Sequence, residues 1–308
     1  MTNPAARFSL LSFPMLPRFL RLPLLLLVAM TAPLASSARD LFAADNLLAW
    51  CIVPYDSLHR TPAERVAMLQ RLGFTHYAWD WRQQHLRDLP EEIRLAREAG
   101  VNVRAVWLWI DGNYDRPGQL SAANRSILDA IAAANLPAEL WVGIHENYFA
   151  GLDDAACVQK GVEMVSYLRE QAERTGGSVC LYNHGGWFGE PENQIKIIRA
   201  AGERSLGIVY NLHHAEGQTE RFSELLAQMK PYLRAVNLNG INPGAPDSEI
   251  IPLGQGTLER EFIRLLWKSG YTGPLGILGH TEGEDVELVL RRNLEGLRAI
   301  AAELRRDA

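Results

Sequence analysis

Side chains able to trade protons or hydrogen bonds collect in one kind of place along this chain, directly after short apolar runs. Asp80 follows Thr75–Trp79, His145 and Glu146 follow Leu140–Ile144, and Asn183 and His184 follow Val179–Tyr182. Asn211, His213 and His214 follow Leu206–Tyr210, Asn239 follows Leu233–Leu238, and His280 comes just after Gly276–Leu278. Tyr55, Asp56, Arg82 and Asp111 occupy similar positions. Five of the eight histidines fall at these points. Neutral imidazoles and carboxamides exchange hydrogen bonds with hydroxyls, while carboxylates accept them and take protons. The set therefore suits a polyhydroxylated ligand.

The densest stretch is Val179–Gly189, VCLYNHGGWFG, where an amide, an imidazole, two glycines and an indole stand between a strand-like run and a helix-like one. Glycines there let backbone approach a ligand closely. The bland alternative makes its Asn and His helix caps. Trp79, Trp81, Trp107, Trp109, Trp141 and Trp187 lie in or beside the apolar runs, and indole faces match sugar rings. Trp107 and Trp141 read instead as core.

Groups so spaced need a scaffold that gathers strand ends. From Asn46 onward the pattern alternates strand and helix without interruption. Strands are expected over Leu47–Val53, Thr75–Trp79, Val101–Ile110, Leu140–Ile144, Val179–Tyr182, Leu206–Tyr210, Leu233–Leu238 and Gly276–Leu278. Helices follow each. The first opens with Thr61-Pro62-Ala63-Glu64, a capping box with proline at its first position, and another follows a Thr257 cap. Eight such units in about 270 residues describe a single (β/α)8 TIM barrel, in which residues at the C-terminal strand ends share one face. No strand leads into GxGxxG, which counts against an open nucleotide-binding sheet.

The first 38 residues stand apart. Arg7, Arg18 and Arg21 precede or enter an apolar run, Leu22–Ala32, and Ala35-Ser36-Ser37-Ala38 offers a cleavage site. This is the pattern of a secretory signal peptide (residues 1–38), with the barrel in 39–308, a periplasmic or secreted address, and no stable membrane span after cleavage. Removing those arginines leaves 28 bases against 36 acids, a net charge of −8. So acidic a chain has no general attraction to nucleic acid. Cys51, Cys157 and Cys180 show no zinc spacing. Buried free thiols are the commoner reading, with one disulfide left open.

Four passages carry a family likeness: VCLYNHGGWFGEPENQIKII, LGIVYNLHHAEG, LRAVNLNGIN and IPLGQGTLEREFIRLLWKSGYTGPLGILGH. In them the chain resembles the xylose-isomerase-like barrels, which include sugar epimerases and isomerases, inosose dehydratases and endonuclease-IV-type nucleases. Metal-dependent members hold a divalent ion with Glu, Asp, His and Glu on strands five to eight. By this alignment those places carry Tyr182, Asn211, Asn237 and Leu278, a poor set for an ion that favours hard, charged oxygen donors. The usual metal, and any other cofactor, is therefore expected to be absent. A transition metal held through the imidazoles stays open.

The resemblance implies an isomerase, epimerase or lyase acting on a small-molecule carbohydrate. Glu146 or Asp80 would then be general base, with His184 and His214 as acid partner and oxyanion stabiliser. Asn183, Asn211, His145, His213, Asn237, Asn239, His280 and Trp187 would bind substrate. The alternative is a non-catalytic carbohydrate-binding or scaffolding barrel. Neither the sugar nor the oligomeric state is legible.

Overall fold

The computed structural model describes residues 40–242 and 250–307. The expected signal peptide lies outside the described residues. Eight strands, β1 (Leu47–Trp50), β2 (His76–Trp79), β3 (Asn102–Ile110), β4 (Glu139–Ile144), β5 (Ser178–Tyr182), β6 (Leu206–Asn211), β7 (Leu233–Leu238) and β8 (Leu275–Leu278), pair in sequence order and close into a barrel. Every pairing is parallel, and closure runs from Leu47↔Leu275 to Trp50↔Leu278. The helices are α1 (Pro62–Leu72), α2 (Leu89–Glu98), α3 (Ala122–Ala133), α4 (Asp154–Glu173), the single turn α5 (Gly186–Gly189), α6 (Pro191–Ala200), α7 (Phe222–Met229), α8 (Glu259–Lys268) and α9 (Val286–Arg306). This is the expected (β/α)8 barrel. Among the described residues no helix is long and apolar enough to cross a membrane.

Strand residues alternate between two cores, as the two-residue period of a strand requires. One parity packs outward against the helices. The other fills the barrel with Leu48, Trp50, Ala78, Ala105, Trp141, Cys180, Tyr182, Val209, Ala235 and Leu278. Alanines on β2, β3 and β7 make room for the indoles of Trp50 and Trp141, whose rings meet edge-on at 5.0 Å. Trp141 is fully buried, as expected of core. Trp107, expected to be core, is only half-buried, because β3 carries its inward parity past the packed layers to the mouth.

Local signals behave as their chemistry dictates, with two exceptions. Thr61 and Glu64 form the reciprocal cap that starts α1. Thr257 does not cap α8. The Glu259 carboxylate instead accepts backbone N–H bonds from Ile241, Gly254 and Gly256 at 2.8–3.1 Å and ties the preceding loop to the helix. Strand β1 stops at Trp50, three residues short of expectation. Cys51 adopts a left-handed backbone (φ 55°), so the chain leaves the sheet there and Val53 N–H is taken up by the Asp80 carboxylate. All three cysteines are buried and free, so the disulfide left open does not form.

Candidate functional site

The inward parity of each strand, continued two residues beyond its last packed position, decides what reaches the barrel mouth. Ala78 leads to Asp80, Tyr182 to His184, Val209 to Asn211 and then His213, and Leu278 to His280. With His214 from the turn after β6, these side chains line a cavity of about 280 Å³ whose floor is Trp50, Tyr182 and Leu278.

The turn after β5 shows how the sequence builds its part. Asn183 has outward parity and clamps β6. Its Oδ1 accepts from Asn211 N at 2.7 Å and its Nδ2 donates to Asn211 O at 3.1 Å. These bonds tie β5 to β6, and Asn183 is buried and does not line the cavity. Gly185 and Gly186 then both take left-handed φ (69° and 61°), a conformation that favours glycine, and turn the chain into α5. His184 is left projecting over the mouth.

The imidazoles form a file of tilted and edge-on contacts. His184 lies 4.3 Å from His214 between ring centroids, His214 lies 4.6 Å from His213, and His213 lies 5.7 Å from His280. His280 stacks on Tyr55 at 3.5 Å. Burial, reinforced by the neighbouring imidazoles, lowers His214 to about 2, and burial with His213 lowers His280 to about 4. Burial also lowers His184. Near neutral pH these three rings are uncharged, each with one N–H to donate and one nitrogen to accept.

Asp80 faces them. Its Oδ1 accepts the Val53 N–H at 3.2 Å, while Oδ2 is buried without a partner. Burial raises its pKa to about 6, against opposing pulls from the Val53 N–H and the Arg82 charge. Arg82 closes the rim, donating to the Tyr55 hydroxyl at 2.6 Å and to the Trp81 carbonyl at 2.9 Å. One cavity thus holds a poised carboxylate, uncharged imidazoles and a guanidinium.

The four positions that hold the divalent ion in metal-dependent relatives do not fit one here. The Tyr182 hydroxyl accepts from Trp50 Nε1 at 2.9 Å and from Asn211 Nδ2, with Asn237 beside it, and burial raises its pKa well above that of a free phenol. A neutral phenol, two carboxamides and an alkyl side chain provide no charge to balance a dication. Among the described residues no group of three or more His, Cys, Asp or Glu side chains could hold a metal ion.

Several expected site residues stand elsewhere. Glu146 is exposed and does not line the cavity. The inward parity of Trp141 passes to Gly143 and His145, so Glu146 points away. His145 turns its Nδ1 to the Asn147 N–H at 3.1 Å and its ring against Trp109. Asn239 is buried and bonded to the Gly240 carbonyl, and Asn237 is buried beside the Tyr182 hydroxyl. Trp187 packs on Phe149 and donates to Asp154 at 2.9 Å, which fixes α5 against α4. Trp50 and Cys51, which line the cavity, were not singled out by the sequence. Counting alternate residues on from Leu48 would have found Trp50.

Comparison with known proteins agrees with this architecture. Residues 39–300 match the family described as the xylose isomerase-like TIM barrel, and the chain belongs to that family. Among solved structures it is similar to a 3-keto-D-glucoside 4-epimerase from E. coli, at 14% identity, covering 83% of this chain and 99% of that one with a TM-score of 0.61. It is also similar to a D-psicose 3-epimerase from Clostridium cellulolyticum solved with D-tagatose (12% identity, 84% and 99% covered, TM-score 0.59). A third similar structure is the IOLI protein with a binding zinc atom (11% identity, 84% and 97% covered, TM-score 0.64). At such identities the likeness shows the fold. No curated protein matches the chain in sequence.

Proposed function

We propose that the barrel mouth is the active site of an isomerase, epimerase or lyase acting on a sugar or keto-sugar by enolisation, without the divalent ion of metal-dependent relatives. The observation that carries this reading is the free, buried Oδ2 of Asp80 in a cavity walled by His184, His214 and Arg82. A carbonyl substrate there loses the proton on its α-carbon to Asp80, and the C–H electrons move to the carbonyl oxygen. Uncharged His184 and His214 donate hydrogen bonds to the resulting enediolate, and the Arg82 guanidinium balances its charge. Return of the proton to the neighbouring carbon, with an imidazole passing the hydroxyl proton from one enediol oxygen to the other, isomerises the sugar, and delivery of a proton by an imidazole to the opposite face of the same carbon epimerises it. Loss of a β-hydroxyl, leaving as water with a proton from an imidazole, makes the reaction a lyase step.

An uncharged imidazole suits the donor role, since it polarises an oxygen without first having to lose a proton of its own. The cavity, at about 280 Å³, is at the lower edge of the roughly 300–1,000 Å³ range of ligand sites, which fits one sugar ring. Support for the substrate class comes from the family and from the epimerases among its structural neighbours. The address we propose is outside the cytoplasm. It rests on the N-terminal pattern alone, and a mature chain that began anywhere other than near Arg39 would contradict it.

The test is turnover of aldoses, ketoses and keto-glycosides followed by NMR, with Asp80→Asn and His184→Ala beside the native protein. Asp80→Asn is expected to lower kcat by about 10²–10⁴-fold with KM little changed. Unchanged turnover in that variant overturns the assignment. Saturable sugar binding with no product after long incubation favours the non-catalytic carbohydrate-binding barrel instead.

A further inference from the structure

A second cavity, of about 310 Å³, opens beside the first and shares three of its walls, Arg82, Trp107 and His184. Its remaining lining is Trp81, Gln83 and Trp109, none of which the enolisation step uses. Trp107 and Trp109 stack at 5.9 Å with an interplanar angle of 21°. Both stand on β3 at inward parity, and both are half-buried, so ring surface remains open to the cavity.

The platform is built and held. A Cβ at Gly143, on the neighbouring β4, would come within 2.5 Å of Trp107 and 2.8 Å of Trp109, so the glycine leaves the space in which the two indoles lie. Trp81 is fixed from the other side, its Nε1 donating to the Trp107 carbonyl at 2.9 Å. The edge of His184 meets Trp109 at 4.8 Å. One imidazole therefore faces both cavities.

We propose that this second cavity is a sugar subsite, so that the substrate is a disaccharide or other sugar glycoside rather than a free monosaccharide. The inference rests on the enolisation reading of the first cavity and names its substrate class. The reacting ring sits among Asp80, His184 and His214, and the second ring lies with its apolar face on Trp109 and Trp81. The two volumes are nearly equal, which fits one ring in each. Indole faces supply the apolar contact, and the Arg82 guanidinium and the exposed Gln83 amide at the edge supply partners for hydroxyls. Arg82 and His184 stand at the junction, where the bridging oxygen would lie.

The experiment is titration calorimetry of the native protein and Trp109→Ala with matched pairs: D-glucose against cellobiose and maltose, and D-fructose against sucrose. At least one disaccharide is expected to bind about tenfold more tightly than its monosaccharide, and Trp109→Ala is expected to bring the ratio of the two Kd values, both measured on that variant, to about one. Saturation-transfer NMR on the native protein, irradiating aromatic protons, needs no variant and is expected to label both rings. Labelling of one ring only, or a disaccharide advantage that survives in Trp109→Ala, overturns the subsite. Binding is read without turnover, so two-ring binding with no product leaves the subsite standing and removes the enolisation reading. No binding by any sugar of either size overturns both.

Discussion

At the scale of single residues, the site sets one carboxylate against a file of imidazoles, and burial shifts both in the direction of neutrality. Asp80, raised to about 6, must be ionised to take a proton, so kcat/KM is expected to fall about tenfold per pH unit below 6. A pH–rate profile with no acidic limb near 6 would remove Asp80 from the role. The same shifts govern stability, with opposite signs. His214, His280 and His184 all lie below the ordinary value of 6.5 when folded, so the unfolded chain takes up protons first as pH falls. Their contribution is therefore present above 6.5 and lost on acidification. Asp80 opposes them, because ionising it in the fold costs stability as pH rises from 3.8 through 6.

The depressed His214 and His280 outweigh one raised carboxyl, and the Tm is expected to fall between pH 7 and pH 5. His214→Gln should remove about 2 kcal/mol of that loss at pH 5. Thermal melts at the two pH values check this, and an unchanged difference in the variant would contradict it. These shifts were not legible in the sequence, since they depend on which histidines the fold buries together.

At the scale of elements, the alternation of strands and helices was plain in the sequence because each apolar run and each cap is local. Facing was harder. Asp80 and Glu146 both follow a strand and were equal choices as base, until the inward parities of Ala78 and Trp141 sent one into the cavity and the other to solvent. The left-handed Cys51 that ends β1 carries no local signal, because nothing in the run Leu47–Val53 breaks its apolar pattern. Gly143 belongs to this scale as well, for it is a β4 residue whose purpose lies on β3. Gly143→Ala is expected to destabilise the fold by about 1–3 kcal/mol, since a methyl group must displace two indoles. Denaturant unfolding measures it. A neutral result would mean the indole pair has room to move and the platform is not held.

At the scale of the whole molecule, the barrel opens its candidate site at the C-terminal strand ends, over a floor of Trp50, Tyr182 and Leu278. The barrel closes, the strand ends converge and the mouth is lined as in a ligand site. Tyr182, Asn211, Asn237 and Leu278 are the positions at which the motif likeness leads one to expect a divalent ion's ligands, and the first two are bonded to each other. In the proposed reaction, charge stabilisation falls to Arg82 and the neutral imidazoles on the wall. This substitution is an expectation from the motif likeness. Its consequence, that the Tyr182 hydroxyl is already occupied by Trp50 and Asn211, needed the fold.

The central claim is enolisation by Asp80 without a divalent ion. It is tested most directly by α-proton exchange in D2O, followed by NMR on a substrate of this protein after the protein has been stripped with a chelator. Deuterium is expected to enter the α-carbon with the stripped native protein, unchanged when Mg²⁺, Mn²⁺ or Zn²⁺ is restored, and not to enter with Asp80→Asn. Incorporation that needs an added metal, or that persists in Asp80→Asn, would contradict it.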